Sequence, residues 1–268
     1  MRLGRVVWER APILVKTPIL GIKAAVVACI AITIAYLLLQ PFPAQLYVLS
    51  NTSEAAFSLV ALLVALDALK VRDFPMIKST RWLALGFLFW FLGEATYSIY
   101  ALVLGVAIPY PSLADVFWLT GYPFVPVGMA IFLRQFRFAV RREDLAIAVG
   151  ASVAAIVLVA VFLIIPVIAI STDLITNLVG FAYPILDVAL LSASIVGALL
   201  FRGGRMARGW NYLVLGAILF ALGDMLFSYA AAKGVIYDGD PLELLYDYGY
   251  VCFGLSIYRQ LKAFGSES

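Results

Sequence analysis

Seven carboxylates carry most of the chemistry open to this chain. Glu54, Glu94, Asp115, Asp187, Asp224, Glu243 and Asp247 fall inside or at the ends of long apolar runs, with no Lys or Arg beside them. An ionised carboxylate within hydrocarbon costs at least ~2.5 kcal/mol on insertion scales. Each must therefore be protonated, hydrogen-bonded to a neighbour, or facing water or a cationic ligand. Six of the seven occupy matching places in an internal repeat. "WLALGFLFWFLGEATYS" from Trp82 aligns with "YLVLGAILFALGDMLFS" from Tyr212 at an offset of 130, which sets Gly86 on Gly216, Gly93 on Gly223, Glu94 on Asp224 and Ser98 on Ser228. "DVFWLTGY" from Asp115 aligns with "ELLYDYGY" from Glu243 at an offset of 128, which sets Asp115 on Glu243 and Tyr122 on Tyr250. Glu54 and Asp187 miss the offset by about one helical turn, which keeps them on the same face. Asp247 lies one turn beyond Glu243.

These positions are the candidate ligand- or proton-binding residues, joined by Ser98 and Ser228 one turn from the mid-helix acids and by Tyr122 and Tyr250. Each serine hydroxyl is within reach of its neighbouring carboxyl, in competition with its own helix backbone. Asp115 and Glu243 have a second reading as helix-start acids, because "PSLA" and "DPL" precede them and acids there satisfy free N–H groups. Glu94 and Asp224 are mid-helix. They either donate a hydrogen bond across a helix interface, with Gly93 and Gly223 allowing close approach, or serve a ligand or proton. The surrounding tyrosines and Trp118 read as an interfacial aromatic belt or as the wall of a pocket for an organic or cationic ligand.

Several chemistries are excluded. The chain has no histidine, which removes the usual haem and copper ligands and the histidine general base. Its two cysteines, Cys29 and Cys252, lie in separate apolar runs and form no CxxC pair, so no metal centre, disulfide framework or cofactor is expected.

The elements that hold these residues follow from composition. Of 268 residues, 64% are hydrophobic and 13% charged, and the mean hydropathy is +1.02, far above a soluble domain. Apolar runs of about 20 residues, the length that crosses hydrocarbon, occur near 19–39, 46–69, 82–104, 114–133, 145–168, 178–201, 210–231 and 242–258. Pro166 and Pro184 are expected to kink or interrupt their runs. The connections alternate in charge: every Lys and Arg except Lys233 falls on one side of this arrangement. By the positive-inside rule both termini are cytoplasmic, and the net charge of +3 reports topology rather than a nucleic-acid partner. The opening residues show no small-residue cleavage site, so the amino terminus is expected to be retained.

The expected architecture is therefore an all-α integral membrane protein with eight transmembrane helices arranged as two parallel four-helix repeats. A cytoplasmic segment covers 1–18, the first repeat 19–133, a basic linker 134–144, the second repeat 145–258 and a tail 259–268. Four spans per half is an even number, so both halves enter the membrane in the same direction. At 1.5 Å per residue, Glu94 lies about 18 Å along its helix from Trp82, past the bilayer middle toward the outer face. The acids are expected to converge on an outer-facing cavity.

At "PSLADVFWLTGYP", with a second "YPILDVALL" from Tyr183 and the "GE" of the third span, the chain resembles the multi-span amino-terminal membrane regions of archaeal and bacterial sensor histidine kinases and diguanylate cyclases. The resemblance covers about 46–258. It implies a sensory, ligand-responsive module in the cytoplasmic membrane of a prokaryote. No kinase or cyclase segment accompanies it here, so output is expected through a cytoplasmic or membrane signalling partner. The alternatives are a proton- or cation-coupled secondary transporter using Glu94 and Asp224, and a non-catalytic subunit of a larger assembly. An intramembrane aspartyl enzyme is a further alternative, because "YPILD" and "LGD" approach the paired motifs of presenilin-like proteases. Against it, position 221 is Ala where that motif has Gly, and Asp187 does not directly follow Tyr183. A retinal Schiff base is excluded, since it needs a lysine within a span and the one candidate, Lys23, sits at a span end.

Overall fold

A computed structural model of the protein describes residues 21–71, 74–106, 108–135, 142–159, 173–201 and 204–265. The described residues are helical and contain no strand. In chain order the helices are α1 (Ile22–Leu39), α2 (Pro43–Leu69), α3 (Ile77–Ser98), α4 (Leu113–Arg134), α5 (Arg142–Val159), α6 (Leu174–Leu200), α7 (Gly204–Lys233) and α8 (Leu244–Gly265). Six of them, α1 to α4, α6 and the Ala207–Ala231 part of α7, are long and apolar enough to cross a membrane. Their outward residues, including Val27, Leu38, Val103 and Ile185, are apolar and exposed. Water would not tolerate so much contiguous apolar surface, and lipid does. The chain is a helical membrane protein.

Of the eight expected spans, α5 and α8 do not reach that standard of length and apolarity, and each has a reason. α5 opens with Arg142, Glu143 and Asp144, and its described part ends at Val159. The remainder of the expected 145–168 span, with Pro166, lies outside the described residues, as does the 1–18 segment. α8 is interior: every residue from Gly249 to Tyr258 is buried. A helix shielded from lipid by its neighbours can carry Asp247, Ser256 and Gln260, so its sequence is less apolar than a lipid-facing span. α8 also continues to Gly265, where a tail from residue 259 was expected. Pro184 does not interrupt α6, which runs through it, as α4 runs through Pro123 and Pro126.

Local signals set the helix starts. Pro43 occupies the first turn of α2, where its missing N–H costs nothing. α4 begins with a capping box in which the Ser112 Oγ accepts from the Ala114 N–H at 3.2 Å and the Asp115 carboxylate accepts from the Ser112 N–H at 2.6 Å. Asp173 caps α6 by accepting from the Thr176 N–H at 2.7 Å. α3 continues as π-helical turns over Ile99–Leu104 and stops at Gly105, whose φ of 59° a side chain would resist.

Neighbouring helices pack in pairs. The tightest pairs are α3 with α4 and α7 with α8, and α8 also packs against α2. A Cβ on Gly86 would lie 2.6 Å from Val125 and 3.2 Å from the Gly121 carbonyl oxygen. A Cβ on Gly216 would lie 2.9 Å from Phe253 and 3.2 Å from the Gly249 oxygen. Glycines thus bring both pairs to backbone contact at corresponding places. Between the pairs lies an aromatic core. Trp90 stacks on Phe220 with ring centroids 4.9 Å apart and meets Phe253 at 5.5 Å and Tyr122 at 5.4 Å. Polar contacts fasten neighbouring helices: Ser79 Oγ donates to the Gly128 carbonyl at 2.7 Å, and the Trp210 indole donates to the Ser194 carbonyl at 3.1 Å.

Candidate functional site: a cavity floored by paired carboxyls

The four tightly packed helices do not close at one end. There α2, α3, α4, α6, α7 and the start of α8 surround a cavity of about 550 Å³, bordered by the 108–112 connection. Glu54, Glu94, Asp115, Asp224 and Glu243 line it together with Trp118, Tyr122, Tyr183, Tyr246 and Tyr250, and among the described residues no Lys or Arg lines it. Acids separated by nearly 190 residues of chain thus come to one place.

Four of the acids form two carboxyl–carboxyl contacts. Glu54 on α2 lies beside Glu94 on α3, and Asp187 on α6 lies beside Asp224 on α7. Aromatic donors complete the shells. Glu94 Oε1 accepts from the Trp118 indole at 3.1 Å and from the Tyr250 hydroxyl at 2.6 Å. Asp224 accepts from the Tyr246 hydroxyl at 2.7 Å and from the Tyr122 hydroxyl at 2.5 Å, and that same hydroxyl lies 3.0 Å from Asp187 Oδ1. Trp118 and Tyr246 correspond at the offset of 128, as do Tyr122 and Tyr250. In each half, one donor comes from the helix paired with the acid's own. The other crosses from the opposite pair: Tyr250 on α8 reaches Glu94 on α3, and Tyr122 on α4 reaches Asp224 on α7.

The remaining expected residues are distributed differently. Asp115 lines the cavity and also completes the α4 capping box, and it accepts from the Tyr183 hydroxyl at 2.8 Å. Glu243 does not cap the last helix directly: Asp240 caps the 3-10 turn Pro241–Glu243 that leads into it, accepting from the Leu242 N–H at 3.0 Å. Glu243 folds back onto the Gly239 N–H and accepts from the Tyr36 hydroxyl at 3.1 Å. Asp187 is buried behind Asp224; its Oδ2 accepts from no N–H or hydroxyl, which leaves the Asp224 carboxyl as its other polar contact. Asp247 is fully buried outside the cavity wall, with the Ser53 hydroxyl beside it and no hydrogen bond of ordinary geometry.

The serines part company. Ser98 bonds main-chain oxygens, its own helix's Glu94 carbonyl at 2.8 Å and the Asn51 carbonyl of α2, rather than the Glu94 carboxyl. The backbone carbonyl one turn earlier lies in the natural reach of a helical serine, and it wins here. Ser228 lines the cavity. Trp118 and Tyr246 were legible only as aromatic belt or pocket wall, and Tyr183 only as the start of "YPILD"; the structure makes them donors to Glu94, Asp224 and Asp115. The signal that could have found two of them was the repeat itself, which matches Trp118 with Tyr246 just as it matches the acids they serve.

Fold and site together define a helical membrane protein with an acidic, aromatic-walled cavity at one end of the bundle. Compared with protein-family models, curated proteins and solved structures, the chain matches none.

Proposed function

We propose that this protein is a ligand-responsive membrane module, sensor-like in kind, whose cavity receives a small molecule and whose response passes to a partner protein. The observation that carries the reading is the 550 Å³ cavity itself. Its volume falls in the range of small-molecule sites, its wall is mainly aromatic, and convergent polar groups stand at its floor. The architecture we propose around it is eight spans in two parallel repeats, in the cell membrane, with both termini cytoplasmic and the cavity facing outward. α8, with 22 residues, is about 33 Å long and sufficient to cross hydrocarbon. The glycine contacts of α3–α4 and α7–α8 correspond one to one, which supports the repeat. Single cysteines placed at Lys233 and at Arg134 in a variant lacking Cys29 and Cys252 test the topology. In intact cells the first is labelled by an impermeant maleimide and the second only after permeabilisation; equal labelling of both refutes this orientation.

A proton- or cation-coupled carrier is the second reading, favoured by the two close carboxyl pairs, Glu54 with Glu94 and Asp187 with Asp224. We place it behind the first because the cavity opens among residues of one bundle end, and below it Trp90, Phe220 and Phe253 form a closed aromatic core. We read the protein as no enzyme. An aspartyl dyad needs a water between its carboxyls, and the Tyr122 hydroxyl occupies the place between Asp187 and Asp224. The experiment is a thermal-unfolding screen of the purified protein against charged and neutral small organic molecules, followed by uptake into proteoliposomes of any that stabilise it. At least one compound should raise Tm by several degrees without being accumulated, and a Glu94→Gln, Asp224→Asn double variant should lose the response. Uptake that this double variant abolishes would establish the carrier instead.

A further inference from the structure

The geometry points to a specific ligand class for this cavity: a monovalent organic cation with an apolar body, its charged head held at Glu54 and its body against the aromatic wall. The inference rests on the small-molecule reading above and narrows it. Among the described residues five carboxyls and no basic side chain line the space, so an anion finds no counter-charge in that lining. A metal ion is equally poorly served, because the described residues contain no group of three acids or cysteines that could hold one. The wall supplies what a diffuse organic cation needs, the electron-rich faces of Trp118, Tyr183 and Tyr246.

Glu54 stands apart from the other floor acids. Glu94 and Asp224 each accept two aromatic donors, and Asp115 and Glu243 accept backbone N–H groups. Glu54 lines the cavity half-buried, and the partner it has there is the Glu94 carboxyl. Among the described residues no N–H or hydroxyl donates to it, so its carboxylate is available to a ligand in the cavity. A cation is held there by the ionised carboxylate, so binding and protonation compete.

Phenyltrimethylammonium and its uncharged isostere tert-butylbenzene test this, titrated by tryptophan fluorescence into the protein in nanodiscs with empty nanodiscs subtracted. The quaternary charge is permanent, so pH acts on the protein alone. At pH 8 the cation should bind saturably and at least ten times more tightly than the isostere, and lowering the pH to 5 should weaken it. Glu54→Gln should lose at least tenfold in affinity, whereas Glu54→Asp, which keeps the charge, should retain most of it. Asp67→Asn removes an exposed acid already paired with Lys70 at 3.1 Å and should leave binding unchanged. Ser228→Trp, which fills the cavity wall, should abolish it. Circular dichroism and gel filtration identify any variant that fails to fold; if Glu54→Gln fails, the pH dependence and the isostere comparison decide. Equal binding of cation and isostere, sensitive to Ser228→Trp, would overturn the cation inference and leave the ligand-binding reading standing. Saturable binding of neither probe would overturn both.

Discussion

Tyr122→Phe should destabilise the protein by about 2 kcal/mol, measured as reversible unfolding in mixed micelles. Interhelical hydrogen bonds in membranes average only ~0.6 kcal/mol, because the unfolded chain finds other partners. The Tyr122 hydroxyl should exceed that figure because it serves two acids at once, Asp224 Oδ2 at 2.5 Å and Asp187 Oδ1 at 3.0 Å. Deleting it leaves two carboxyl oxygens short of a donor beside a side chain that is only 3% exposed, and an unsatisfied buried group costs more than a bond contributes. Tyr250→Phe is the internal comparison. Its hydroxyl serves Glu94 alone, and the Trp118 indole remains on the same oxygen, so about half the loss is expected. A double-mutant cycle of Tyr122→Phe with Asp224→Asn should show coupling, since the two side chains share one bond. A Tyr122→Phe protein within ~0.5 kcal/mol of wild type would show that the hydroxyl is replaced by water and that the network does not strap the two helix pairs together.

The second large effect lies at the backbone contact of α3 and α4. Gly121→Ala should cost about 2–3 kcal/mol and Gly121→Leu should prevent folding, because overpacking a filled interface drives helices apart. A Cβ on Gly121 would stand 2.6 Å from the Trp90 ring and 2.9 Å from the Gly86 carbonyl oxygen. The carbonyl belongs to the neighbouring backbone and cannot rotate away. Trp90 is itself 1% exposed and stacked on Phe220, so it has nowhere to go. Gly150 on α5 has nothing within 4 Å of a built Cβ; there the same exchange should be neutral or stabilising through helix propensity. Equal unfolding curves for the two alanine variants would mean that α3 and α4 tolerate separation, and that the matched glycines of the repeat reflect ancestry rather than packing.

The uneven legibility of this chain has physical causes. Membrane character was plain because burial in lipid demands runs of apolar residues, and runs are a one-dimensional property. The expected spans that fell short of the length and apolarity of the others were α5 and α8. α8 escaped the apolar criterion because protein, rather than lipid, covers it: it is continuously buried from Gly249 to Tyr258, and it carries a buried serine there and the buried Asp247 and Gln260 at either side. Ser98 turned to main-chain oxygens because the competition between a carboxyl and a carbonyl one turn away is decided by ångströms that spacing does not contain.

What the sequence alone determined is which residues correspond: the alignment from Trp82 onto Tyr212 matched Glu94 with Asp224, and that from Asp115 onto Glu243 matched Tyr122 with Tyr250. Correspondence survives in one dimension because a repeat preserves order. Only the tertiary structure decided who bonds to whom. It set Glu54 against Glu94 and Asp187 against Asp224, sent Tyr250 and Tyr122 across to the opposite helix pair, turned Trp118 and Tyr246 from wall into donors, and brought Glu54 into the cavity wall. Those contacts depend on how closely helices far apart in the chain approach, and that distance is set by glycines meeting backbone and by the aromatic core between the pairs.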